Sequence, residues 1–268
     1  RQVDGRAAPP ARMVKARSAD TRAWIQTESW PSLAWGADFA DPRGMVTPSE
    51  DGPTRGGDGA GGGVPGPADW AERYRLGETP WDLGGAHPEL SLRLSGGSLA
   101  PPRTGARVLV PGAGRGHDAV ALARRGWTVV ALDVVGSLGE DLGTALARLG
   151  GRFVEGDALD FEDEPFDLIW DHTFFCAISP ADREPWGRRA GELLLPGGLY
   201  AALVFPFGKP ASEEGPPHGM SSDDLLRVLG ARTEVIEDVE VQRRAPARRW
   251  AERFLLARRH GLDLASPA

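Results

Sequence analysis

The sequence has one cysteine, Cys176, among 268 residues. No intrachain disulfide can form, and no cysteine-based zinc site can be assembled. A reducing compartment suits such a chain. Long apolar runs are also missing: nothing approaches the roughly 20 residues that span a bilayer. The first 30 residues lack the basic start and apolar middle of a secretory leader. With no address to read, the cytoplasm is the expected compartment and no membrane partner is expected. Positive charge is in deficit, with 31 Lys and Arg against 38 Asp and Glu, a net charge of −7. Phosphate backbones are bound by clustered cations, so no nucleic-acid partner is expected. Tyrosine is scarce, and neither Tyr74 nor Tyr200 has a lysine three or four residues later. That removes the Tyr-Lys pair of one class of nicotinamide oxidoreductase.

What is present is ordinary for a globular domain: 41% hydrophobic and 26% charged residues, enough to bury a core. The composition divides the chain. Residues 51–67 carry eight Gly and three Pro, too little apolar surface to offset the entropy of ordering. Residues 1–50 scatter Trp24, Trp30 and Trp35 with neither helical nor strand period. Residues 1–66 are therefore expected to be a disordered extension, and residues 67–268 a single folded domain, expected to be monomeric.

From Asp69 the chain reads as a short helix, ADWAERYRL, and then irregular structure through GETPWDLGGAHPEL. After Arg107 strands and helices alternate. RVLV, WTVVALD, GRFVEGD, FDLIWD and LYAALVFPF read as strands. HDAVALARRG, LGEDLGTALARLG, PADREPWGRRAGELLL and SSDDLLRVLG read as helices, and ARTEVIEDVEV and RWAERFLLARR as closing strands. The expectation is an α/β fold: a doubly wound, mostly parallel seven-stranded sheet with helices on both faces. The last two strands have no long helix between them, so one antiparallel strand is expected near the edge.

Ligands of such sheets bind at the carboxyl ends of the strands. The first strand ends in VPGAGRGHD, where Gly112, Gly114 and Gly116 form a GxGxG turn that lets a ligand approach the backbone closely. The dinucleotide fingerprint would need a third glycine at position 117, which is His117. The second strand ends in Asp133, placed to accept from the hydroxyls of an adenosine ribose. Together the turn and the acid point to an adenosine cofactor. Asp157 and Ala158 follow the third strand, within reach of an adenine. The fourth strand runs into Asp171, His172, Thr173, Phe174, Phe175 and Cys176, ionisable groups beside aromatic surface.

These features, with LLLPGG before the fifth strand, resemble class I methyltransferases. WAERYRLGETPWDLG, DHTFFCAISPADREPW and GPPHG carry a narrower resemblance to the thiopurine S-methyltransferase family, including its thiol and halide branch. The resemblance runs from about Asp69 to Gly230. It implies S-adenosylmethionine as cofactor and a lid formed by the segment before the first strand, residues 67–100. Trp70, Tyr74 and Trp81 match lid aromatics that pack on the cofactor, the middle one more often Trp in the family. Gly112 matches the loop residue at its methionine part, with Gly114 of the same turn also expected to bind the cofactor; Asp133 matches the ribose acid, and Asp157 and Ala158 the adenine contacts. His172 matches a position near sulfonium and acceptor that is Arg or Tyr in other branches. Val134 and Val135 depart from the family's usual Ile-Ser after the ribose acid.

The activity this implies is methyl transfer to a small-molecule acceptor, a thiol or similarly soft nucleophile. In that reading His172 takes the acceptor's proton or holds its anion, and Asp171 orients the ring. Other readings stand beside these. Trp70 and Tyr74, four residues apart, equally suit a helix packing on a core. Cys176 reads as a small buried hydrophobe, His218 as an acceptor-facing or a solvated loop residue, and Arg183 and Trp186 as packing partners. A halide acceptor, a nicotinamide oxidoreductase and a non-catalytic cofactor binder are the alternative functions.

Overall fold

Strand alternation builds the scaffold. In β1 (Arg107–Pro111) Val108 and Val110 face one side of the sheet and Leu109 the other, all 4% exposed or less. The same division continues in β2 (Thr128–Asp133), β3 (Arg152–Glu155), β4 (Phe166–His172) and β5 (Leu194–Phe207). This computed structural model describes residues 65–261 except Ala211 and Ala247. Most of the expected disordered extension, residues 1–64, thus lies outside the described residues.

The sheet has seven strands in the order β3-β2-β1-β4-β5-β7-β6. Strands β1 to β5 are parallel to one another. The last strand, β7 (Ala251–Arg259), inserts between β5 and β6 (Thr233–Glu240), antiparallel to both. The expected antiparallel strand is thus one place in from the edge. The order reverses between β1 and β4, so the loops after these two strands part and open a crevice.

Helices cover both faces. The first face packs α2 (Pro88–Gly96), α3 (His117–Arg124) and α4 (Gly139–Ala147) on Val108, Trp170, Leu203 and Phe254. The second packs α5 (Arg183–Leu193) and α6 (Ser222–Leu229) on Leu109, Ile169, Tyr200 and Leu255. In α6, Ser221 Oγ accepts from the Asp224 N–H while the Asp224 carboxylate accepts from Ser221 N, a reciprocal cap. In α1 (Pro67–Leu76) the Asp69 carboxylate reaches back 2.8 Å to Gly66 N instead of capping the helix itself.

Two boundaries differ from the sequence reading. Residues 88–96 form α2, which begins inside the stretch 77–90 that was expected to be irregular. Pro88 sits in its first turn, His87 Nδ1 accepts from Glu89 N at 3.1 Å, and Leu90 and Leu94 are buried. α5 stops at Leu193, short of the Pro196-Gly197-Gly198 turn, because Leu194 already pairs with Phe166 in the sheet.

Candidate active site

A cleft of about 520 Å³ opens at the carboxyl ends of β1, β2 and β4. The glycine turn forms its floor. Gly112 and Gly114 hold φ of 57° and 55°, a region costing an L-residue about 1–2 kcal/mol. A Cβ at Gly112 would sit 3.0 Å from Phe174, and one at Gly114 2.6 Å from the Tyr74 hydroxyl. Side chains here would fill the cradle itself. Gly114 N donates to Asp133 Oδ2 at 2.8 Å and Val135 N donates to Oδ1 at 3.0 Å. Burial raises the Asp133 carboxyl above its ordinary value, and these backbone donors only partly offset it.

The segment before β1 closes over this floor. Trp70 and Trp81 meet edge to face at 5.3 Å, and Trp81 Nε1 donates to the Tyr74 hydroxyl at 3.0 Å. Burial pushes Tyr74 up to about 12, so the phenol stays neutral. Asp82 pins the segment down. Its carboxylate meets Arg115 at 2.9 Å and His117 at 3.1 Å, both from the turn and the start of α3. Asp157 and Ala158 line the same end of the cleft. Asp157 is exposed and caps its own turn through Leu159 N, and Ala158 is buried.

His172 lines the other half, beside Phe174, Ile178, Phe205, Trp250 and Arg248. Its Nδ1 lies 2.7 Å from Asp118 Oδ2 and its Nε2 2.7 Å from Arg248 Nη2. Asp118, in the first turn of α3, also accepts from His87 N and Trp170 Nε1. Burial alone would raise its carboxyl, but the His172 ring and these donors outweigh burial and hold it at about 2. Arg248 in turn donates to Glu252 Oε1 at 2.7 Å and stacks 4.3 Å from the Phe205 ring. Glu252 Oε1 also meets His87 Nε2 at 3.1 Å, and Oε2 accepts from Ala245 N. Glu252 and His87 are 2% and 0% exposed. Burial opposes ionisation of Glu252, yet His87, Arg248 and the backbone hold it below the ordinary carboxylate range.

Asp171 does not orient His172, contrary to expectation. Successive strand residues face opposite sides, so Asp171 points to the second face. There it accepts from the Tyr200 hydroxyl at 2.7 Å and from Phe174 and Phe175 N, and it does not line the cleft. Asp118 takes the place proposed for it. The reading of the sequence also passed over Arg248, His87 and Glu252. Glu252 carried a signal: it shares a strand face with Phe254 and Leu256, so its charge had to be buried and partnered.

Other residues singled out lie where packing uses them. Cys176 is buried at the cleft wall, its thiol pushed up to about 12 by burial and the Asp171 charge. Arg183 donates to Gly219 O, and Trp186 Nε1 donates to Tyr200. His218 does not line the cleft, although Pro216 and Pro217 do. Among the described residues no group of three His, Cys, Asp or Glu could hold a metal.

The sequence profile of the thiopurine S-methyltransferase family matches residues 66–140 and 146–256. The chain belongs to this family. It is 37% identical over 165 residues to a probable thiol methyltransferase 2 of Arabidopsis thaliana, covering 60% of this chain and 70% of that one. It is 36% identical over 177 residues to thiocyanate methyltransferase 1 of Brassica oleracea, covering 63% and 76%. Among solved structures, the Burkholderia thailandensis 1,6-didemethyltoxoflavin-N1-methyltransferase with bound S-adenosylhomocysteine matches with a TM-score of 0.57. It is 22% identical, over 73% of this chain and 87% of the other, and shows the shared fold. The protein is thus an S-adenosylmethionine-dependent methyltransferase. Its own residues fit that cofactor: glycines where a Cβ would fill the cradle, and an acid at the end of β2.

Proposed function

We propose that the chain methylates a small thiol, with cofactor and acceptor meeting end to end across the cleft. One observation carries this reading. A single space joins the glycine turn and Asp133 to an apolar half walled by Phe174, Ile178, Phe205 and Trp250. Asp133 would hold the ribose, Asp157 and Ala158 the adenine, Gly112 and Gly114 the amino-acid part, and Trp70, Tyr74 and Trp81 the roof. When bound, S-adenosylmethionine supplies a methyl already activated by a sulfonium.

The protein's share is alignment and exclusion of water. Fixing two reactants in line is worth roughly 7–11 kcal/mol of barrier. Asp82 holds the aromatic segment against the turn, so the roof is seated on the floor that binds the cofactor. Neutral aromatic faces stabilise a cation by roughly 0.5–2 kcal/mol without adding a competing base. The apolar walls favour a polarisable sulfur over a hydrated oxygen or nitrogen. A halide or thiocyanate is the second reading, favoured by the Arg248 guanidinium on the acceptor wall.

No helix among the described residues is long and apolar enough to cross a membrane. We place the chain in the cytoplasm as a monomer, to be checked by fractionation and light scattering. Calorimetry with S-adenosylmethionine, S-adenosylhomocysteine and NAD tests the cofactor half. A methyl-transfer screen over thiols, thiopurines, iodide and bisulfide tests the acceptor half. Heat with NAD and none with the adenosyl sulfonium would refute the reading.

A further inference from the structure

Arg248 dictates the protonation state of His172. A guanidinium only donates, so at 2.7 Å His172 Nε2 must be the acceptor. The ring proton therefore sits on Nδ1 and is donated to Asp118, also at 2.7 Å. Both ring nitrogens are engaged, and the imidazole is neutral.

Each element packed around the ring contributes a fixed group. Asp118 comes from α3 and Arg248 from the connection between β6 and β7. The His87 ring, from the segment before α2, meets His172 edge to face at 4.9 Å. Burial lowers His87, so it too stays neutral. Glu252 of β7 backs both His87 and Arg248. Asp171, next in the chain, turns to the other face. Asp82, Asp133 and Asp157 lie along the roof and the cofactor end, and Asp182 at the turn before α5. Cys176 holds its own proton more tightly than a free thiol does. Arg249 also lines this half, over the Trp250 ring at 4.7 Å, but its side chain is exposed. Among the described residues the acceptor half thus has one buried, fixed cation, Arg248, and no free base.

We propose that the acceptor enters as a soft anion already formed in solution, a thiolate or thiocyanate, and that Arg248 faces it. His172 is a positioning residue: its Nε2 lone pair holds Arg248 in place and takes no proton. This rests on the methyltransferase reading above. In the transfer, a lone pair on the anion's sulfur forms the new S–C bond. The C–S bond of the sulfonium breaks and its electrons return to that sulfur. Positive and negative charge cancel, and no proton moves within the cleft, a thiol having lost its proton to water beforehand.

The test uses thiocyanate, 2-mercaptoethanol and thiophenol with the full chain and the variants H172Q, H172L and R248Q. Glutamine keeps an acceptor oxygen for Arg248 but cannot serve as a base, and leucine keeps neither property. With wild type, kcat/KM for each thiol should rise through that thiol's own pKa, and thiocyanate should show no such rise. H172Q should stay within about tenfold of wild type. H172L and R248Q should raise KM for every acceptor by roughly ten- to a hundredfold, the range of one lost charged hydrogen bond. Thiocyanate binding, followed by tryptophan fluorescence without turnover, should weaken in the same two variants. Thermal denaturation confirms that each variant is folded, and R248Q decides the binding claim if H172L is not.

The proposal is overturned if H172Q and H172L are equally impaired with thiols yet normal with thiocyanate, the signature of a base. An inflection near about 6.5 shared by both thiols would overturn it too. Wild type that binds no S-adenosylmethionine would instead sink the methyltransferase reading, while the fluorescence measurement would still decide the role of Arg248.

Discussion

Replacing Gly114 with alanine tests whether the glycine turn and the aromatic roof are mechanically joined. Gly114 has φ of 55°, and its new Cβ would lie 2.6 Å from the Tyr74 hydroxyl. Two costs follow. Left-handed backbone costs an alanine about 1–2 kcal/mol. Displacing the hydroxyl breaks its 3.0 Å bond from Trp81 Nε1, worth about 0.5–1.5 kcal/mol. For a domain of this size each kcal/mol lowers Tm by roughly 2–4 °C, so the variant should melt roughly 3–14 °C lower. The two costs separate in a double-mutant cycle with Tyr74→Phe. Phenylalanine lacks the oxygen, and the next ring atom is 3.8 Å from the Cβ, an ordinary contact. The double variant should therefore be more stable than the sum of the singles by about 0.5–1.5 kcal/mol. Calorimetry of the four proteins should also show part of the lost S-adenosylmethionine affinity returning in the double variant. Additivity within roughly 0.5 kcal/mol would show that the turn does not carry the roof.

Three further expectations concern the polar groups around β4. Asp118 is held from 3.8 down to about 2, so its contribution is present above 3.8 and lost as pH falls toward 2. Asp118→Asn weakens the acceptor of His87 N, Trp170 Nε1 and His172 Nδ1 and should cost roughly 1–3 kcal/mol at pH 7 in urea denaturation, with the gap to wild type closing as pH falls from 4 toward 2. Tyr200→Phe strands Asp171 Oδ2 and Trp186 Nε1, both in buried side chains, and should cost roughly 1–3 kcal/mol for each atom. If Asp171 is structural, thiol KM in that variant stays within about twofold of wild type; a large KM change would return Asp171 to the site. Thr173 is β-branched with φ of 65°. Thr173→Val keeps that strain and loses the hydroxyl's bond to His172 O, so its Tm should fall. Thr173→Gly loses the same bond but relieves roughly 1–2 kcal/mol, so it should melt above the valine variant, and the reverse order would show an unstrained loop.

The sheet was legible because it is written locally. Apolar runs ending in glycine or an acid marked β1, β2 and β4, and the turn at Gly112–Gly116 marked where a ligand approaches. α2 was harder to see, since His87-Pro88 reads as a turn until the His87 ring is seen accepting from Glu89 N. The side to which Asp171 turns is written in the strand itself. Successive residues of a strand point to opposite faces of the sheet, so with His172 on the first face Asp171 is directed to the second.

The network behind His172 was illegible for a different reason. His87 and Glu252 are 165 positions apart, and the insertion of β7 beside β5 is what brings them together. No local pattern encodes that meeting. A buried glutamate on an apolar strand face says only that a partner must exist. Once the partner is known to be both His87 and Arg248, the consequence is chemical. Glu252 holds Arg248 from behind and His172 holds it from the side. Fixing a cation with one anion and one neutral acceptor leaves it charged and still able to donate to a ligand. A second carboxylate in the place of His172 would have neutralised that cation further and repelled an anionic acceptor. The neutral ring suits this position because it accepts a hydrogen bond without bringing negative charge.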